Sequence, residues 1–504
     1  MKNYVRIELQ PLGEVFQVER GTPLQDVLFE HGVEFPCGGK GRCKGCRVRV
    51  LSGRISLNAR QEEVLSSREI QDGWRLACAA RAEEDLVLEI AQWETNILTD
   101  ESRFSFTPRA GLGIAVDVGT TTLVAQLVDL TSGQVRAVQS ALNPQARFGG
   151  DIMTRVQHAL TDDGREELRR IIHHEIGRLI ALLLHAPECP AQPLSVITLA
   201  GNTVMHHLFC GLDVRPLSAY PFESESLGAQ RFSAKDMGWS VPGDPTVCFL
   251  PCIGGFVGSD ILAGILATSL HDSETVVGLV DLGTNGEIVI GNRDKMICAS
   301  TAAGPAFEGA RIEMGMRAAT GAIAEVHLEN NGWKCHVLGN APARGLCGSG
   351  LVDAAAAGLE LGIIQPSGRL NGDGTPWQLM PPVALTQKDI RELQLAKGAI
   401  AAGFQILKEQ WADEAQELGR LYLSGAFGNY INRGSARRIG LLDFPLEQIV
   451  PAGNTSLLGA KLALFRDPDE LDFRPLLGRI EHLSLSVHLR FQEVFAESML
   501  FPEQ

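Results

Sequence analysis

The chain has 504 residues and a formal net charge of −15, with 45% hydrophobic and 6% aromatic residues. This length predicts two or more domains, and the composition fits an ordinary soluble α/β protein. The acidic balance argues against nucleic acid or an anionic membrane as the main partner. The longest apolar helical candidate, Arg178–His185, is too short to span a bilayer. Met1–Arg6 has no signal-peptide core, so a cytoplasmic protein is expected. The 11 cysteines are then expected as ligands or buried thiols rather than disulfides.

Residues 1–95 read as a cluster domain. Tyr4–Gln10 and Val15–Val18 alternate like paired strands around Gly13, and Thr22–His31 has helical apolar spacing at Leu24, Val27 and Leu28. Cys37, Cys43 and Cys46 follow in a glycine-rich loop, with Cys78 further along. A [2Fe–2S] centre needs four thiolates. Three in one glycine-rich loop leave backbone N–H groups free to turn towards the sulfides, and a remote fourth pins the loop to the sheet. A structural zinc site is the alternative, but zinc knuckles come as two close pairs, whereas this split is three plus one. The spacing C-x5-C-x2-C…C resembles the [2Fe–2S] ferredoxins of the adrenodoxin type, which implies an α+β β-grasp fold. The loop is also basic, at Lys40, Arg42, Lys44, Arg47, Arg49 and Arg54. That charge balances an anionic cluster or forms a docking surface for an acidic electron donor.

Residues 96–110 are polar and aperiodic and read as a linker. The first half of a second domain, 111–275, opens on Gly113–Thr122. Here an apolar strand runs into a tight turn carrying Asp117, Gly119, Thr120 and Thr121, and a second apolar strand returns. Such a tip suits a phosphate with its metal ion. Asn143–Arg155 reads as a loop entering a helix, with Asp151 as a cap or a ligand contact. Gly164–His185 is a long amphipathic helix, on which His173 and His174 are expected at the surface. Val196–His207 and Phe249–Gly264 each read as strand, glycine turn and helix, a geometry that presents helix N–H groups. The pair His206 and His207 is expected to be buried or at an interface, and Cys248 and Cys252 are expected as core thiols.

The second half, 276–465, opens on a near copy of the first turn, with Asp281, Gly283, Thr284, Asn285 and Glu287. A carboxylate at Glu287 is suited to orient a water or to hold a metal through water. Cys298–Arg311 is expected to be a loop of small residues, and Arg344–Asp353 a glycine turn opening a helix with Cys347 as a packed thiol. Leu421–Asn429, with Gly425, Ala426, Phe427 and Gly428, echoes the Gly201 turn. Gly453–Ala460 echoes the Gly254 region. Each half thus runs acidic hairpin, glycine turn, glycine helix, in the same order. Residues 466–504 form a tail of mixed strand and helix, expected to pack on the second domain.

The paired hairpins and the Ser424–Gly428 turn resemble the nucleotide fold shared by actin, sugar kinases and heat-shock chaperones, the ASKHA fold. With the cluster domain in front, nearly the whole chain resembles the reductive activators of corrinoid proteins. The resemblance implies a duplicated α/β ASKHA domain behind a β-grasp ferredoxin domain, and ATP, Mg2+ and a [2Fe–2S] cluster as cofactors. It implies an ATP-dependent one-electron return of a Co(II) corrinoid protein to Co(I), supplied by a low-potential ferredoxin or flavodoxin. Asp117, Asp281 and Glu287 are the catalytic candidates, the glycine and threonine turns the nucleotide contacts, and Ser300 and Thr301 the corrinoid-facing candidates. A homodimer is allowed. The chain departs from relatives with [4Fe–4S] clusters in having no cysteine after Cys347, so a second cluster is not expected. Its linker and first half are also shorter than in some members. An activator of a radical dehydratase, a small-molecule kinase with a fused ferredoxin, and a redox-sensing binding protein are the competing readings. Asp260 or Asp151 is the candidate base for the kinase.

Overall fold

The computed structural model describes residues 4–10, 13–28, 33, 41, 46–90, 106–186, 189, 192–329, 332–372, 375–411, 417–428, 431–466 and 472–503. Cys37, Cys43, Lys40, Arg42, Lys44, Asn429 and the linker before residue 106 lie outside them. By internal contacts the chain forms two units. One comprises Met1–Asn96, Gln145–Arg155 and Pro305–Leu393, and the other Ile97–Pro144, Val156–Gly304 and Gln394–Gln504.

In the first unit, β1 (Tyr4–Gln10), β2 (Glu14–Glu19), α1 (Leu24–Leu28), β3 (Arg47–Ser52), β4 (Trp74–Leu76) and β5 (Leu86–Ile90) build the cluster domain. Its sheet order is β2-β1-β5-β3-β4. Val5, Ile7 and Leu9 alternate onto the buried face of β1 and meet Leu86, Leu88 and Ile90 of the parallel strand β5. Gly13, at φ +71°, supplies the left-handed residue that the β1–β2 turn needs.

The second unit holds two six-stranded sheets. The first is built from β6 (Leu112–Val118), β7 (Thr122–Asp129), β8 (Val135–Leu142), β9 (Leu194–Ala200), β10 (Gln230–Ser233) and β11 (Thr246–Phe249). Helices α2 (Asp162–Leu184), α3 (Thr203–Cys210) and α4 (Ser259–Ala267) follow its strands. The second sheet uses β12 (Val277–Leu282), β13 (Gly286–Gly291) and β14 (Met296–Thr301). Within the first unit, β15 (Ala322–Glu329), β16 (Gly332–Val337) and β17 (Gly345–Leu346) form a small sheet ahead of α5 (Gly348–Glu360). After α6 (Gln387–Trp411), the second large sheet is completed by β18 (Arg420–Ser424), β19 (Ile449–Gly453) and β20 (Ile480–His482). Helix α7 (Gly425–Gly428) follows β18, and α8 (Thr455–Ala463) follows β19.

The duplication is explicit in the strand orders. The first sheet runs β8-β7-β6-β9-β11-β10 and the second β20-β14-β13-β12-β18-β19. Omitting β10 and β20, both read third, second, first, fourth, fifth. In each, an antiparallel hairpin is followed by parallel strands, because each glycine turn leads into a helix that crosses back over the sheet. Strands β6 and β12 are buried almost throughout, which fits their near-continuous apolar runs. The tail joins the fold, since β20 pairs in parallel with β14.

Two small-residue helices join the halves. A Cβ at Gly459 of α8 would sit 2.1 Å from the Ala263 carbonyl oxygen of α4, and one at Gly264 would sit 2.7 Å from Leu279 Cδ2. Glycine at these positions allows α4 and α8 to cross with backbones nearly touching. Their N-termini, at Ser259-Asp260 and Thr455-Ser456, thereby reach the tips of the two hairpins.

Three expectations change. His173 is buried rather than at the surface, with Nε2 2.8 Å from the Phe209 carbonyl oxygen, while its own carbonyl accepts from Trp239 Nε1. The helical spacing of α2 gave no sign that Trp239 would close over it. Cys298–Thr301 is strand β14 rather than loop. The basic surface of the cluster loop is also reduced. Arg47 pairs with Glu69 at 3.2 Å and lies over the Trp74 ring, and Arg49 faces Glu89 at 3.6 Å.

Candidate functional site

Four carboxylates converge at the hairpin tips of the second unit. Asp117 is the penultimate residue of β6, opposite Ala200 of β9, and Asp281 that of β12, opposite Ser424 of β18. Glu287 is the second residue of β13 and Asp260 the second of α4. The sequence places three of these in the nucleotide site. The fourth, Asp260, is named there only as a base for the competing kinase reading, and it arrives through the α4–α8 crossing.

Each carboxylate is fixed by neutral donors. Asn454 Nδ2 donates to Asp117 Oδ2 at 2.9 Å and Ser456 Oγ to Asp117 Oδ1 at 2.8 Å. Ser424 Oγ donates to Asp281 Oδ2 at 2.8 Å. Asp260 Oδ1 accepts from the Ile261 N–H at 2.8 Å, and Glu287 Oε1 from Ser300 Oγ at 3.3 Å. Asn202 Nδ2, in the turn after β9, donates to Thr120 Oγ1 at 2.8 Å. Both glycine turns therefore tie themselves to a hairpin tip. Asn454, Ser456 and Asn202 hold Asp117 and Thr120 in place, and the sequence does not single them out for that. Their turns are legible, but their partners lie far away in the chain.

Burial, with crowding at three of them, makes all four carboxyls weaker acids than usual. Burial pushes Asp260 up to about 8, reinforced by the charges of Asp281 and Asp117. Asp281 rises to about 6 through burial, opposed by the Ser424 hydrogen bond. Burial likewise raises Asp117, against its Asn454 and Ser456 bonds. Glu287 is raised well above the usual carboxylate range by burial and by Asp260 and Asp281. The four carboxyls thus lie within electrostatic reach of one another, although no three of them, among the described residues, are gathered closely enough to hold a metal ion by themselves.

Glycines shape the backbone around this cluster. Gly119 closes the first tip by donating its N–H to the Thr122 carbonyl at 3.1 Å, and Gly283 closes the second by donating to Asn285 at 3.0 Å. Gly425, at φ +86°, turns the chain after β18, and a Cβ there would lie 2.6 Å from Asp281 Oδ1. Only glycine fits that contact. Phe427 is buried. Gly425–Gly428 form one short helical turn.

Thr301 does not face outward. It is 2% exposed, and its Oγ1 donates to the Gly286 carbonyl at 3.0 Å. Ser300, with Glu287, belongs to the carboxylate cluster. Asp151 caps its helix, accepting from the Thr154 N–H at 2.9 Å and from Thr154 Oγ1 at 2.8 Å. His206 and His207 are buried, and so are Cys248, Cys252 and Cys347.

In the cluster domain, Cys46 immediately precedes β3 and is buried, while Cys78 is half-buried in the turn Ala77–Ala79. The Ala77 N–H donates to the Cys46 carbonyl at 3.0 Å, and Arg47 pairs with Leu76 across β3–β4. The last cysteine of the loop and the remote one are thus held on adjacent segments. This arrangement fits an iron–sulfur cluster shared between them and the loop.

The fold and these residues define an iron–sulfur protein with an ASKHA-type nucleotide domain. Residues 275–504 match the family model described as the C-terminal domain of RACo, the ASKHA domain. Residues 112–273 match the RACo middle region, and 7–83 the 2Fe-2S iron-sulfur cluster binding domain. The corrinoid activation enzyme RamQ of Eubacterium limosum is 31% identical over 601 residues, covering 99% of each chain. The [Co(II) methylated amine-specific corrinoid protein] reductase of Methanosarcina barkeri is 30% identical over 387 residues, 69% of each chain. A solved structure of a reductive activator for corrinoid,iron-sulfur protein superposes with a TM-score of 0.68 at 27% identity, covering 99% of this chain and 98% of the other. The chain belongs to the RACo family of corrinoid activators. No helix among the described residues is long and apolar enough to cross a membrane.

Proposed function

We propose that this protein is an ATP-hydrolysing reductive activator that returns a Co(II) corrinoid protein to Co(I). The observation that carries the reading is the union of a cysteine-bearing β-grasp domain with a two-hairpin carboxylate clamp, in a chain aligned end to end with a corrinoid activation enzyme.

Each residue has a role in this reading. At tips closed by Gly119 and Gly283, the N–H groups and side chains of Thr120, Thr121, Thr284 and Asn285 bind the triphosphate. The Gly425–Gly428 turn takes the adenosine. Asp117 and Asp281 would hold Mg2+, which would neutralise phosphate charge, and Glu287 would orient a water. Support for a divalent cation comes from the burial that raises both carboxyl pKa values and from the uncharged partners Asn454, Ser456 and Ser424. Cys37, Cys43, Cys46 and Cys78 hold the [2Fe–2S] cluster, which supplies the single electron when bound. Binding of the nucleotide between the two hairpins changes the affinity for the corrinoid protein, the coupling that any such activation requires. A low-potential ferredoxin or flavodoxin is the electron donor and the cytoplasm the location. A homodimer is the assembly to test by mass in solution.

The test mixes the reduced holoprotein, MgATP and a Co(II) corrinoid protein without oxygen. The Co(I) absorption band appears with ATP and not without it. An equal yield of Co(I) in both arms overturns the coupling.

A further inference from the structure

The first unit contains a contact that the activity does not require. Among the described residues, the cluster domain makes polar contacts with the body formed by Gln145–Arg155 and Pro305–Leu393. An Arg344 guanidinium nitrogen lies 2.7 Å from Glu89 Oε1 and 3.3 Å from the Ile90 carbonyl oxygen. The two side chains are only 20% and 26% exposed. Gln25 Nε2 donates to the Arg147 carbonyl at 3.3 Å. Glu313 lies close enough to Arg47 to act on its charge.

The body presents this face on ordered backbone. The Arg344 N–H donates to the Gly321 carbonyl at 2.8 Å, and Glu313 donates its N–H to Asp389 Oδ1 at 2.7 Å. On the other side, two of the contacts lie next to Cys46 and Cys78. Arg47 follows Cys46 in sequence. Gln25 lies on α1, which packs against the Ala77–Ala79 turn carrying Cys78. Glu89 and Ile90 end β5, the last strand before the linker.

Leaving this face costs the cluster domain little. Glu89 keeps Arg49 at 3.6 Å, and Arg47 keeps Glu69 at 3.2 Å and the Trp74 ring. Neither cluster-domain charge is stranded, so the penalty for breaking the pair falls on Arg344, whose burial works against its charge. Polar contacts of this kind mark domain interfaces that open.

We propose that the face made by Arg147, Glu313 and Arg344 is a reversible berth for the cluster domain, latched by the Arg344–Glu89 pair, and that the domain leaves it to deliver its electron. The berth stands on geometry alone, whereas the delivery step rests on the corrinoid reading.

The experiment compares full-length holoprotein as wild type, Arg344→Lys and Arg344→Glu. Small-angle scattering at low and high salt reads docking. Arg344→Lys retains the charge and scatters like wild type at low salt. Arg344→Glu is expanded at all salt concentrations, and wild type expands towards it as salt rises. The wild-type salt series still tests the berth if Arg344→Glu fails to fold. A radius of gyration unchanged by salt and by Arg344→Glu overturns the berth. Single-turnover oxidation of the reduced cluster by a Co(II) corrinoid protein reads release. It should be about tenfold faster in Arg344→Glu, the effect of losing one ion pair, with ATP hydrolysis unchanged. A slower or equal rate overturns release. Scattering that separates the variants, with no oxidation in any of them, supports the berth and counts against the corrinoid reading.

Discussion

Asn454 Nδ2 donates to Asp117 Oδ2 at 2.9 Å, across 337 positions of sequence. The bond ties the last glycine turn of the second half to the first hairpin of the first half. Ser456 Oγ holds the other oxygen of Asp117 at 2.8 Å. One carboxylate is thereby oriented by the N-terminus of α8, while its own strand comes from the opposite half. Rotation of the halves would have to break or move these bonds, which makes Asp117 sensitive to how they are closed.

Removing this orientation should weaken nucleotide binding without destroying the fold. Asn454→Ala with Ser456→Ala leaves Asp117 without its two side-chain donors, each worth about 1 kcal/mol. MgATP affinity measured calorimetrically should fall about tenfold or more. An unchanged affinity would remove Asp117 from the binding site.

The carboxylate cluster predicts an unusual pH dependence. Asp281 is raised to about 6 and Asp260 to about 8, above the ordinary carboxylate value of about 4. A raised carboxyl contributes stability that is present in acid and is lost as pH rises through the folded value. Burial lowers His173, His206 and His207, which acts in the opposite sense below the ordinary histidine value. The informative window is therefore about pH 6.5 to 8, where Asp260 titrates. Nucleotide-free protein should lose thermal stability across that window, Asp260→Asn should lose less, and MgATP should offset the loss. A melting temperature that rises through the window in both proteins would contradict this account of the cluster.

Gly459 tests how the halves are joined. A side chain there would drive its Cβ into the Ala263 backbone, 2.1 Å from the carbonyl oxygen. Gly459→Val should destabilise by about 1–3 kcal/mol through overpacking and lower MgATP affinity as well, because Asn454 and Ser456 ride on the same helix. Thermal melting reads the first effect and calorimetry the second. Loss of stability with full affinity would separate the crossing from the site.

The two domains should fail independently. Cys78→Ser should remove the visible absorption of the iron–sulfur cluster and the appearance of Co(I) while leaving ATP hydrolysis intact. Asp281→Ala should retain the cluster spectrum and abolish ATP hydrolysis. Loss of both properties in either variant would mean that the cluster and the clamp do not act as separable modules.

Much of this organisation is legible in the residues. The Asp117 and Asp281 hairpins announce themselves because a carboxylate, glycine and threonines end an apolar strand, and apolar strands covered on both faces leave an unbroken signal. The three-plus-one cysteine spacing is equally local. Asp260 is harder to assign, since its turn resembles any helix start until Gly459 brings α8 against α4. The bond from Asn454 to Asp117 depends on register between distant segments, and nothing near either residue specifies it. Thr301 misleads because small residues suit a loop and an edge-to-core strand alike, and the pairing of β14 with β13 decides between them. His173 is hidden because Trp239, which covers it, lies 66 positions away.

The central claim is that nucleotide at the Asp117–Asp281 clamp controls electron delivery to cobalt. The most direct measurement follows Co(I) formation in the visible spectrum, without oxygen, for wild type and Asp281→Ala at matched cluster content, each with and without MgATP. The account predicts Co(I) only in wild type with MgATP. Co(I) formed at the same rate by Asp281→Ala, or by wild type without nucleotide, would contradict it.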